Sequence, residues 1–361
     1  MDSISKRLKK IFSGASFDAA IIMNASKERI DSNFLYLSDF TSGVFEQDVI
    51  IATQKRITII TTPLEYEIAI RQKPKEATIV MVKREKRFEY GLSKHLKGKV
   101  VGIDESTLPY KYCKIFKKLS KAKRFVDASG AFSKAREVKD GDEIARIKRA
   151  VSITKRALEE LPRHFQAGMT ERQLASIFDS LQARYGADGN AFPSIVSFGA
   201  NSAMPHHMPD NTRLKFNSTV LIDVGARYRN YCSDMTRTFF FKPDKTSTKH
   251  KRMERMHEIV KDVQHMGIEM IREGADGSLI HKRVASYLNG VDNGIYKGRF
   301  IHSLGHGIGI DDHDGLTLSL EGGRLRSNMV TTCEPGLYIP DLGGVRIEDD
   351  VIVGKSRSMI L

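Results

Sequence analysis

The pattern of apolar and polar residues differs between the first 130 residues and the rest of the chain. In residues 1–130, short runs rich in β-branched residues alternate with helix-like pieces, which is typical of a small α/β domain. This part shows no grouping of side chains suited to a metal or a nucleophile, so we expect it to act as a scaffold, a dimer contact or a cover for a site elsewhere. The strands predicted from these runs are residues 19–23, 49–52, 57–61, 77–82 and 100–103.

From residue 131 onward, the apolar spacing becomes that of longer helices. Apolar residues recur at helical intervals over residues 144–161, which predicts a long amphipathic helix. Thr170 is followed three residues later by Gln173, a pair typical of a capping box that opens a second helix. We therefore predict two domains, residues 1–130 and 131–361. Further helices are predicted at residues 247–273 and 278–289.

A β-hairpin is predicted in the middle of the second domain. Two strand-forming runs, residues 220–222 and 236–241, flank a polar turn. Asp223 and Asp234 each lie on one arm, so we expect folding to bring the two carboxylates side by side. An isolated pair of this kind is more often a salt bridge or a solvated edge, and only further partners change that interpretation.

Three candidate partners lie in the last 60 residues. His306 stands between glycines, which let the backbone approach a crowded centre. Glu334 and Glu348 belong to two β segments that we expect to be joined by a Pro/Gly turn running from Glu334 to Gly344. The two segments are residues 329–334 and 344–353.

Four carboxylates and one imidazole suit a pair of divalent metal ions. Carboxylates that converge in an interior repel one another and their pKa values rise unless cations neutralise them. Mn²⁺, Co²⁺, Fe²⁺ or Zn²⁺ would accept this donor set, and two such ions can hold a bridging water as hydroxide and polarise a carbonyl oxygen. The expected reaction is hydrolysis of an amide or ester, and no Gly-x-Ser-x-Gly motif suggests a serine nucleophile instead.

Composition and charge add limits on partners and compartment. The 361 residues carry 58 Lys and Arg against 44 Asp and Glu, a net charge of +14. The basic residues are interspersed with acids and lack aromatic interleaving, which argues against nucleic acid as a partner. No apolar run reaches the roughly 18 residues of a membrane span. Three scattered cysteines indicate a reduced, cytoplasmic compartment.

The motifs resemble the metal-dependent Xaa-Pro peptidases, prolidase and aminopeptidase P, which share the pita-bread fold with methionine aminopeptidase. The resemblance covers nearly the whole chain. It implies a small N-terminal creatinase-like α/β domain and a C-terminal pita-bread domain, with a curved antiparallel sheet covered by helices. The matching segments are Ile222–Ala226, Ser233–Thr238, His302–Gly309, Glu334–Tyr338 and Gly344–Asp350.

The resemblance also implies a role for each site residue. Asp234 and Glu348 would bridge both metal ions, Asp223 would hold one ion, and His306 and Glu334 the other. Glu334 would also accept a proton from the nucleophilic water. The substrate-side residues implied by the family pattern are His206, His302 and His313 at the scissile carbonyl or the proline end, Arg346 behind the ligands, and Tyr338 lining the site.

The implied substrate is a proline-containing dipeptide or short peptide, cut before proline. We favour a dipeptidase over aminopeptidase P because the chain is short and a compact loop joins Glu334 to Glu348. A methionine aminopeptidase would not need the N-terminal domain, and a creatinase-type hydrolase would not need all five ligands. A non-enzymatic peptide- or histone-binding module is the remaining alternative, and it too has no reason to keep the five ligands together.

Two departures from the family pattern lie near the expected proline pocket. Asp312 replaces an apolar residue before His313, and Gly315-Leu316 stands where an acidic residue and a nearby proline are usual. The choice of substrate is therefore less constrained than the metal centre. The resemblance further implies a homodimer.

Overall fold

The structure is a computed structural model that describes residues 3–26 and 29–361. The chain divides into two compact units, Met1–Arg136 and Glu137–Leu361. The division falls at the last residue of a helix that covers Ser129–Glu137. Among the described residues, no helix combines the length and the apolar character needed to cross a bilayer.

The first unit is built on a mixed β-sheet with helices around it. Its strands are β1 (Ala19–Met23), β2 (Val49–Thr53), β3 (Ile57–Thr61), β4 (Ala77–Met81), β5 (Val100–Ile103) and β6 (Arg124–Asp127). Its helices are α1 (Ser3–Phe12), α2 (Ser32–Ser38), α3 (Tyr66–Gln72), α4 (Leu92–Leu96), α5 (Tyr110–Leu119) and α6 (Ser129–Glu137). The strand order is β4-β3-β2-β1-β5-β6. β2 runs antiparallel to both β1 and β3, and the other neighbouring pairs are parallel.

The predicted strands of this unit correspond to β1–β5, within one residue at each end. Ile21, Ile51 and Val101 project from the sheet into a core that also buries Phe116 of α5. β6 was missed because it is a short edge strand whose side chains are half-buried or exposed, so its sequence shows no apolar alternation.

The second unit begins with two helices that the sequence predicted well. Both open with a capping box, formed by Asp140 with Glu143 in the first and by Thr170 with Gln173 in the second. Two more helices follow the central strands, and their apolar faces pack against the C-terminal strands in one core. These helices are α7 (Gly141–Glu160), α8 (Glu171–Arg184), α9 (Thr248–Met270) and α10 (Gly277–Gly290).

The strands of the second unit pair antiparallel in several short sheets. The sheets are β12-β9-β8, β11-β10-β7, β13-β14, β15-β18-β19 and β16-β17. Their bounds are β7 (Gly189–Asn190), β8 (Ile195–Phe198), β9 (Ser218–Val224), β10 (Ala226–Tyr228), β11 (Tyr231–Cys232), β12 (Met235–Phe241), β13 (Gly305–His306), β14 (Thr317–Leu318), β15 (Val330–Cys333), β16 (Gly336–Ile339), β17 (Gly343–Arg346), β18 (Asp349–Ile352) and β19 (Met359–Ile360). The architecture expected from the sequence, an α/β domain followed by helices and antiparallel strands, is confirmed.

The predicted central hairpin is formed by β9 and β12. These strands pair antiparallel, with Asp223 opposite Thr236. The polar turn between them forms a second, smaller hairpin from β10 and β11. Its two loop residues, Arg229 and Asn230, have φ values of 45° and 73°, as the tight turns that join twisted strands require.

The predicted turn from Glu334 to Gly344 was wrong, because it contains a strand. β16 pairs with β17 inside the outer pair of β15 and β18, and the true turn is residues 340–342. Pro335 and Gly336 suggested a turn, but Pro335 interrupts the ladder because it has no N–H to donate. Gly336 is needed for packing, since a Cβ there would collide with the ring of Tyr338.

Candidate metal centre and adjoining pocket

The central hairpin positions the first two carboxylates. Asp223 lies on β9, and Asp234 immediately precedes β12. The backbone N–H of Asp234 donates to Oδ2 of Asp350 at 2.9 Å, which fixes the start of β12 against β18. Asp234 is 5% exposed. Because Asp234 and Thr236 are two residues apart on an extended chain, both side chains face the same side of the sheet.

The C-terminal hairpin positions the second pair of carboxylates. Cys333 pairs with Asp349 in the outer strands and Gly336 pairs with Arg346 in the inner strands. The register is the same in both pairs, so Glu334 and Glu348 lie across from each other where the ladder is interrupted. At this interruption the two glutamates do not pair with each other through the backbone, and their N–H groups donate instead to the carbonyl oxygens of Leu304 and Thr236.

Thr236 joins the two hairpins. Its hydroxyl donates to Oε2 of Glu348 at 2.6 Å, and its carbonyl oxygen accepts from the Glu348 N–H at 3.2 Å. The side chain and backbone of one residue therefore hold the acids of the C-terminal hairpin beside those of the central one.

His306 reaches the carboxylates from β13. Its Nε2 lies 3.6 Å from Oδ2 of Asp234 and 3.6 Å from Oε1 of Glu334. The flanking glycines permit this approach, because a Cβ on Gly305 or on Gly307 would collide with the backbone of neighbouring strands and loops. Ligand atoms of Asp234, His306 and Glu348 all lie within 4.8 Å of one another.

The electrostatics of this grouping call for cations. Burial, reinforced by neighbouring carboxylates, raises the pKa of Asp234 and of Glu334 well above the usual range, and raises that of Glu348 to about 8. Burial and the nearby His313 lower the pKa of His306 to about 4, so its imidazole is neutral. Oδ1 of Asp223 and Oδ1 of Asp234 are buried and accept no hydrogen bond from any described residue. Unpaired carboxylate oxygens beside a neutral imidazole fit divalent metal ions.

Arg346 supplies one fixed cation at the edge of the grouping. It is 2% exposed. Its Nη2 donates to Oδ2 of Asp223 at 2.5 Å, and its Nε donates to the Thr236 hydroxyl at 3.0 Å. Arg346 engages Oδ2, so Oδ1, which accepts no hydrogen bond from the described residues, is the oxygen of Asp223 best able to bind a metal ion.

A hydrogen-bond chain runs from Arg346 to His302. Nη1 of Arg346 donates to the Tyr338 hydroxyl at 2.8 Å, and that hydroxyl lies 2.8 Å from Nε2 of His302. Nδ1 of His302 lies 2.7 Å from the carbonyl oxygen of Ser303, which can only accept. Burial lowers the pKa of His302 to about 4, so the neutral ring carries its proton on Nδ1 and accepts from Tyr338 at Nε2.

A pocket of about 370 Å³ opens beside the carboxylates. His206 is exposed and lines it, together with His302. His313 also lines it and stacks on His306, with ring centroids 3.7 Å apart, while Asp312 contributes an acidic group. One wall is apolar and is formed by Phe192, Pro193, Ile195, Pro205 and Met208.

The structure brings all five candidate ligands together and places His206, His302, His313 and Arg346 on the same pocket. The Tyr338 hydroxyl is hydrogen-bonded to both His302 and Arg346.

Comparison with known proteins decides the family. A family model for metallopeptidase family M24 matches residues 145–355, and one for the creatinase/prolidase N-terminal domain matches residues 5–138. The chain belongs to metallopeptidase family M24.

Individual members of the M24 family resemble the chain over its full length. A Xaa-Pro dipeptidase of Pyrococcus horikoshii is 31% identical over 363 residues, which cover 99% of this chain and 97% of that protein. The solved structure of a Xaa-Pro dipeptidase from Bacillus anthracis has a TM-score of 0.86 at 28% identity and covers 99% of this chain and 96% of its own. That of an X-Pro aminopeptidase from Thermotoga maritima has a TM-score of 0.85 at 28% identity, with 99% and 96% covered.

Sequence reasoning missed two polar residues of the centre, Thr236 and Asp350. Both lie two residues after a candidate ligand on an extended segment, Thr236 after Asp234 and Asp350 after Glu348. The two-residue period of a strand could have indicated them, because it places such pairs on one face. The apolar wall carries no comparable signal, since its members come from separate segments.

Proposed function

We propose that the chain is a two-metal Xaa-Pro peptidase that hydrolyses the peptide bond before proline, and that its preferred substrate is a Xaa-Pro dipeptide. The observation that carries the proposal is the convergence of four carboxylates and His306 on a pocket with an apolar wall. Oδ1 of Asp223 and Oδ1 of Asp234 are buried there and have no hydrogen-bond partner among the described residues. The names of the relatives support the substrate class.

The five candidate ligands would share two divalent ions. Asp234 and Glu348 would hold both ions, Asp223 would hold one, and His306 and Glu334 would hold the other. Mn²⁺ or Co²⁺ is the proposed native metal because carboxylates dominate the donor set, with Zn²⁺ and Fe²⁺ as alternatives. When bound, such ions lower the pKa of water and polarise a carbonyl oxygen.

The chain's own residues supply proton transfer and orientation. Glu334 would accept the proton released by the attacking water, and burial already raises its affinity for a proton. His206 would donate an N–H to the carbonyl oxygen, where negative charge develops in the transition state. His302 would shape the pocket wall, because Tyr338 and the Ser303 carbonyl already engage both of its ring nitrogens.

Two further side chains would act by holding others. Arg346 would fix one oxygen of Asp223 and the hydroxyl of Tyr338. His313 would complete the pocket beside His306, on which it stacks. The apolar wall offers Phe192 and Ile195 as a surface for the pyrrolidine ring, which has no N–H to satisfy.

An X-Pro aminopeptidase is the second candidate. The Thermotoga maritima aminopeptidase is as similar to this chain as the dipeptidase structure is. In addition, Asp312 lines the pocket. Its acidic group would repel the free C-terminal carboxylate of a dipeptide and would not repel the neutral amide of a longer peptide.

The test is hydrolysis of a Xaa-Pro dipeptide beside a Xaa-Pro-Xaa tripeptide, by metal-free protein to which Mn²⁺ or Co²⁺ is restored. Cleavage of the dipeptide alone would establish the dipeptidase. Faster cleavage of the tripeptide would establish the aminopeptidase. Full activity in excess chelator after metal removal, or cleavage of neither peptide by loaded protein, would overturn the proposal.

The proposal extends to a cytoplasmic homodimer. The three cysteines, Cys113, Cys232 and Cys333, are buried and form no disulfide, which suits a reducing compartment. The homodimer rests on the family resemblance. Light scattering on the purified, metal-loaded protein would measure the mass, and a monomer of 40.6 kDa would contradict it.

A further inference from the structure

Glu171 is a buried acid outside the metal centre, and its carboxylate takes part in four hydrogen bonds, two at each oxygen. It is the first residue of α8 and has no exposed surface. Its Oε1 accepts from the backbone N–H of Phe198 at 2.7 Å and from the Asn201 side-chain amide at 2.9 Å. Its Oε2 accepts from the backbone N–H of Asp210 at 3.0 Å and lies 2.7 Å from Nε2 of His207.

These partners enclose one loop, residues 199–209, which we name the His206 loop. Phe198 precedes it and Asp210 follows it, so a single carboxylate ties both ends together. Asn201 and His207, inside the loop, bind the same carboxylate. Loops whose ends are close and whose own side chains pack them are compact and are frequently functional.

The opposite side of the His206 loop rests on the strand that carries Arg346. Oγ of Ser202 accepts from the Gly344 N–H at 2.8 Å and donates to the carbonyl oxygen of Gly199 at 2.6 Å. A Cβ on Gly344 would collide with the Ser202 carbonyl oxygen, so the two backbones are in close contact. The loop is thus held between α8 and β17, and from this position it contributes Pro205, His206 and Met208 to the pocket.

Glu171, His207 and Asp210 place ligand atoms close enough for a metal ion, but the hydrogen bonds argue against one. A carboxylate offers about four lone-pair positions, and Glu171 uses them for two backbone N–H groups, one amide and one imidazole. His207 therefore carries its proton on Nε2. No lone pair of Glu171 remains for a cation.

We propose that Glu171 is a positioning residue for His206. Its carboxylate closes the His206 loop and holds it against β17, so that the exposed imidazole of His206 stands at a fixed place on the pocket wall. The catalytic part of this inference rests on the proposed function, whereas the closure of the loop does not.

The variant E171Q isolates this role, because it keeps the shape of the side chain. A glutamine turns one oxygen into an NH₂ group, which would face the backbone N–H of either Phe198 or Asp210 and lose that hydrogen bond. The matched control is E143Q. Glu143 is 1% exposed and accepts hydrogen bonds from the Asp140 N–H and the Tyr231 hydroxyl, two partners that lie outside the loop.

The first measurement is amide hydrogen exchange of the metal-loaded protein, which needs no substrate. We expect exchange across residues 199–209 to accelerate by about tenfold or more in E171Q, because the loop opens locally, and to stay unchanged in E143Q. Metal content should stay at the wild-type value in both. Unchanged exchange of the loop in E171Q would overturn the proposal. N201A, which removes one donor without burying a mismatched group, replaces E171Q if that variant does not fold.

The second measurement is a double-mutant cycle with H206A on the peptide that the wild type cleaves best. Misplacement of a positioned group costs on the order of 10²-fold, and we expect E171Q to approach this loss in kcat/KM. In the H206A background the same substitution should change kcat/KM by less than about threefold, since Glu171 acts through His206. Additive losses would reduce Glu171 to a purely structural residue. If the wild type cleaves no Xaa-Pro peptide, the proposed function fails, and exchange at the loop then decides alone whether Glu171 closes it.

Discussion

The second unit contains two groupings of acids with histidine, one around Glu171 and one around Asp234 and Glu348, that look alike by residue type and differ in their hydrogen bonds. In each, carboxylate oxygens and an imidazole nitrogen lie within 4.8 Å of one another. Glu171 and Glu348 are equally buried, at 0% and 1% exposure. However, Glu171 accepts four hydrogen bonds from N–H groups, whereas Oδ1 of Asp234 accepts none from the described residues.

The supply of N–H donors explains the difference. Two backbone amides at the ends of a loop, together with one side-chain amide and one imidazole, satisfy the Glu171 carboxylate completely, and such a carboxylate needs no counter-ion. Asp234 and Glu334 instead face other carboxylates, and burial with these neighbours raises their pKa values. Residue type and distance alone therefore do not distinguish the two groupings, and unpaired oxygens among acids are the feature that favours a metal site at Asp234.

The largest expected effect appears when one acid of each grouping is substituted and the metal content of the two variants is compared. D234A should lose both metal ions, because the proposed bridging side chain would serve each of them, while E171Q should keep both. For kcat/KM of D234A we expect a loss on the order of 10³-fold, above the roughly 10- to 100-fold cost of residues that only orient a ligand. Metal content by elemental analysis is the readout. A D234A protein that still binds two ions per chain would refute the bridging role.

The next effect concerns the stability of the metal-free protein as pH changes. Burial raises the pKa of Glu348 to about 8 from an ordinary 4.5. The folded state therefore keeps a proton that the unfolded state releases between those values, so stability should fall as pH rises across this window. From pH 5 to pH 8 we expect a loss of roughly 2–4 kcal/mol in the free energy of unfolding.

Metal-loaded protein should not show this fall, because bound cations replace the protons. Urea unfolding at several pH values, with and without Mn²⁺, measures both curves. A parallel result would be proton release on metal binding near pH 7, seen as a dependence of the binding heat on the buffer. If the free energy of unfolding depended on pH equally with and without Mn²⁺, metal binding would not explain how the folded state tolerates these carboxylates.

The smallest expected effect uses a buried acid of the first unit, outside both groupings. Asp48 is 1% exposed, and burial raises its pKa to about 7 from an ordinary 3.8. The wild type should lose stability from about pH 4 to pH 7, and D48N should remove this loss. We expect D48N to gain roughly 2–4 kcal/mol over the wild type at pH 8 and nearly nothing at pH 4. An equal gain at both pH values would show that the charge of Asp48 is not the cause.

Local patterns were sufficient for most of the fold and for the residue types of the centre. β1 to β5 follow from runs of β-branched residues, and the capping box of Thr170 and Gln173 fixed the start of α8. The five candidate ligands and the pocket histidines were selected by motif, and the structure brings them together. Their roles as ligands and catalytic groups stay predictions.

Long-range partners explain what local patterns could not supply. Glu171 reads as an ordinary acid in the first turn of a helix, and its partners lie 27 to 39 residues away along the chain. Thr236 reads as a strand residue until Glu348 is placed beside it. Pro335 was misinterpreted because proline suggests a turn locally, whereas here it interrupts a ladder that resumes beyond it in the same register.

That shared register has a consequence for how this hairpin can vary. Glu334 and Glu348 lie where the outer strands end and the inner strands begin, and the inner strands continue to a tip at residues 340–342. Residues added or deleted symmetrically in the inner arms, or inserted at the tip, would leave the outer pairing unchanged and therefore the spacing of the two glutamates. The hairpin can thus become longer or shorter, and its tip can reach towards other ligands, while the distance between Glu334 and Glu348 stays the same.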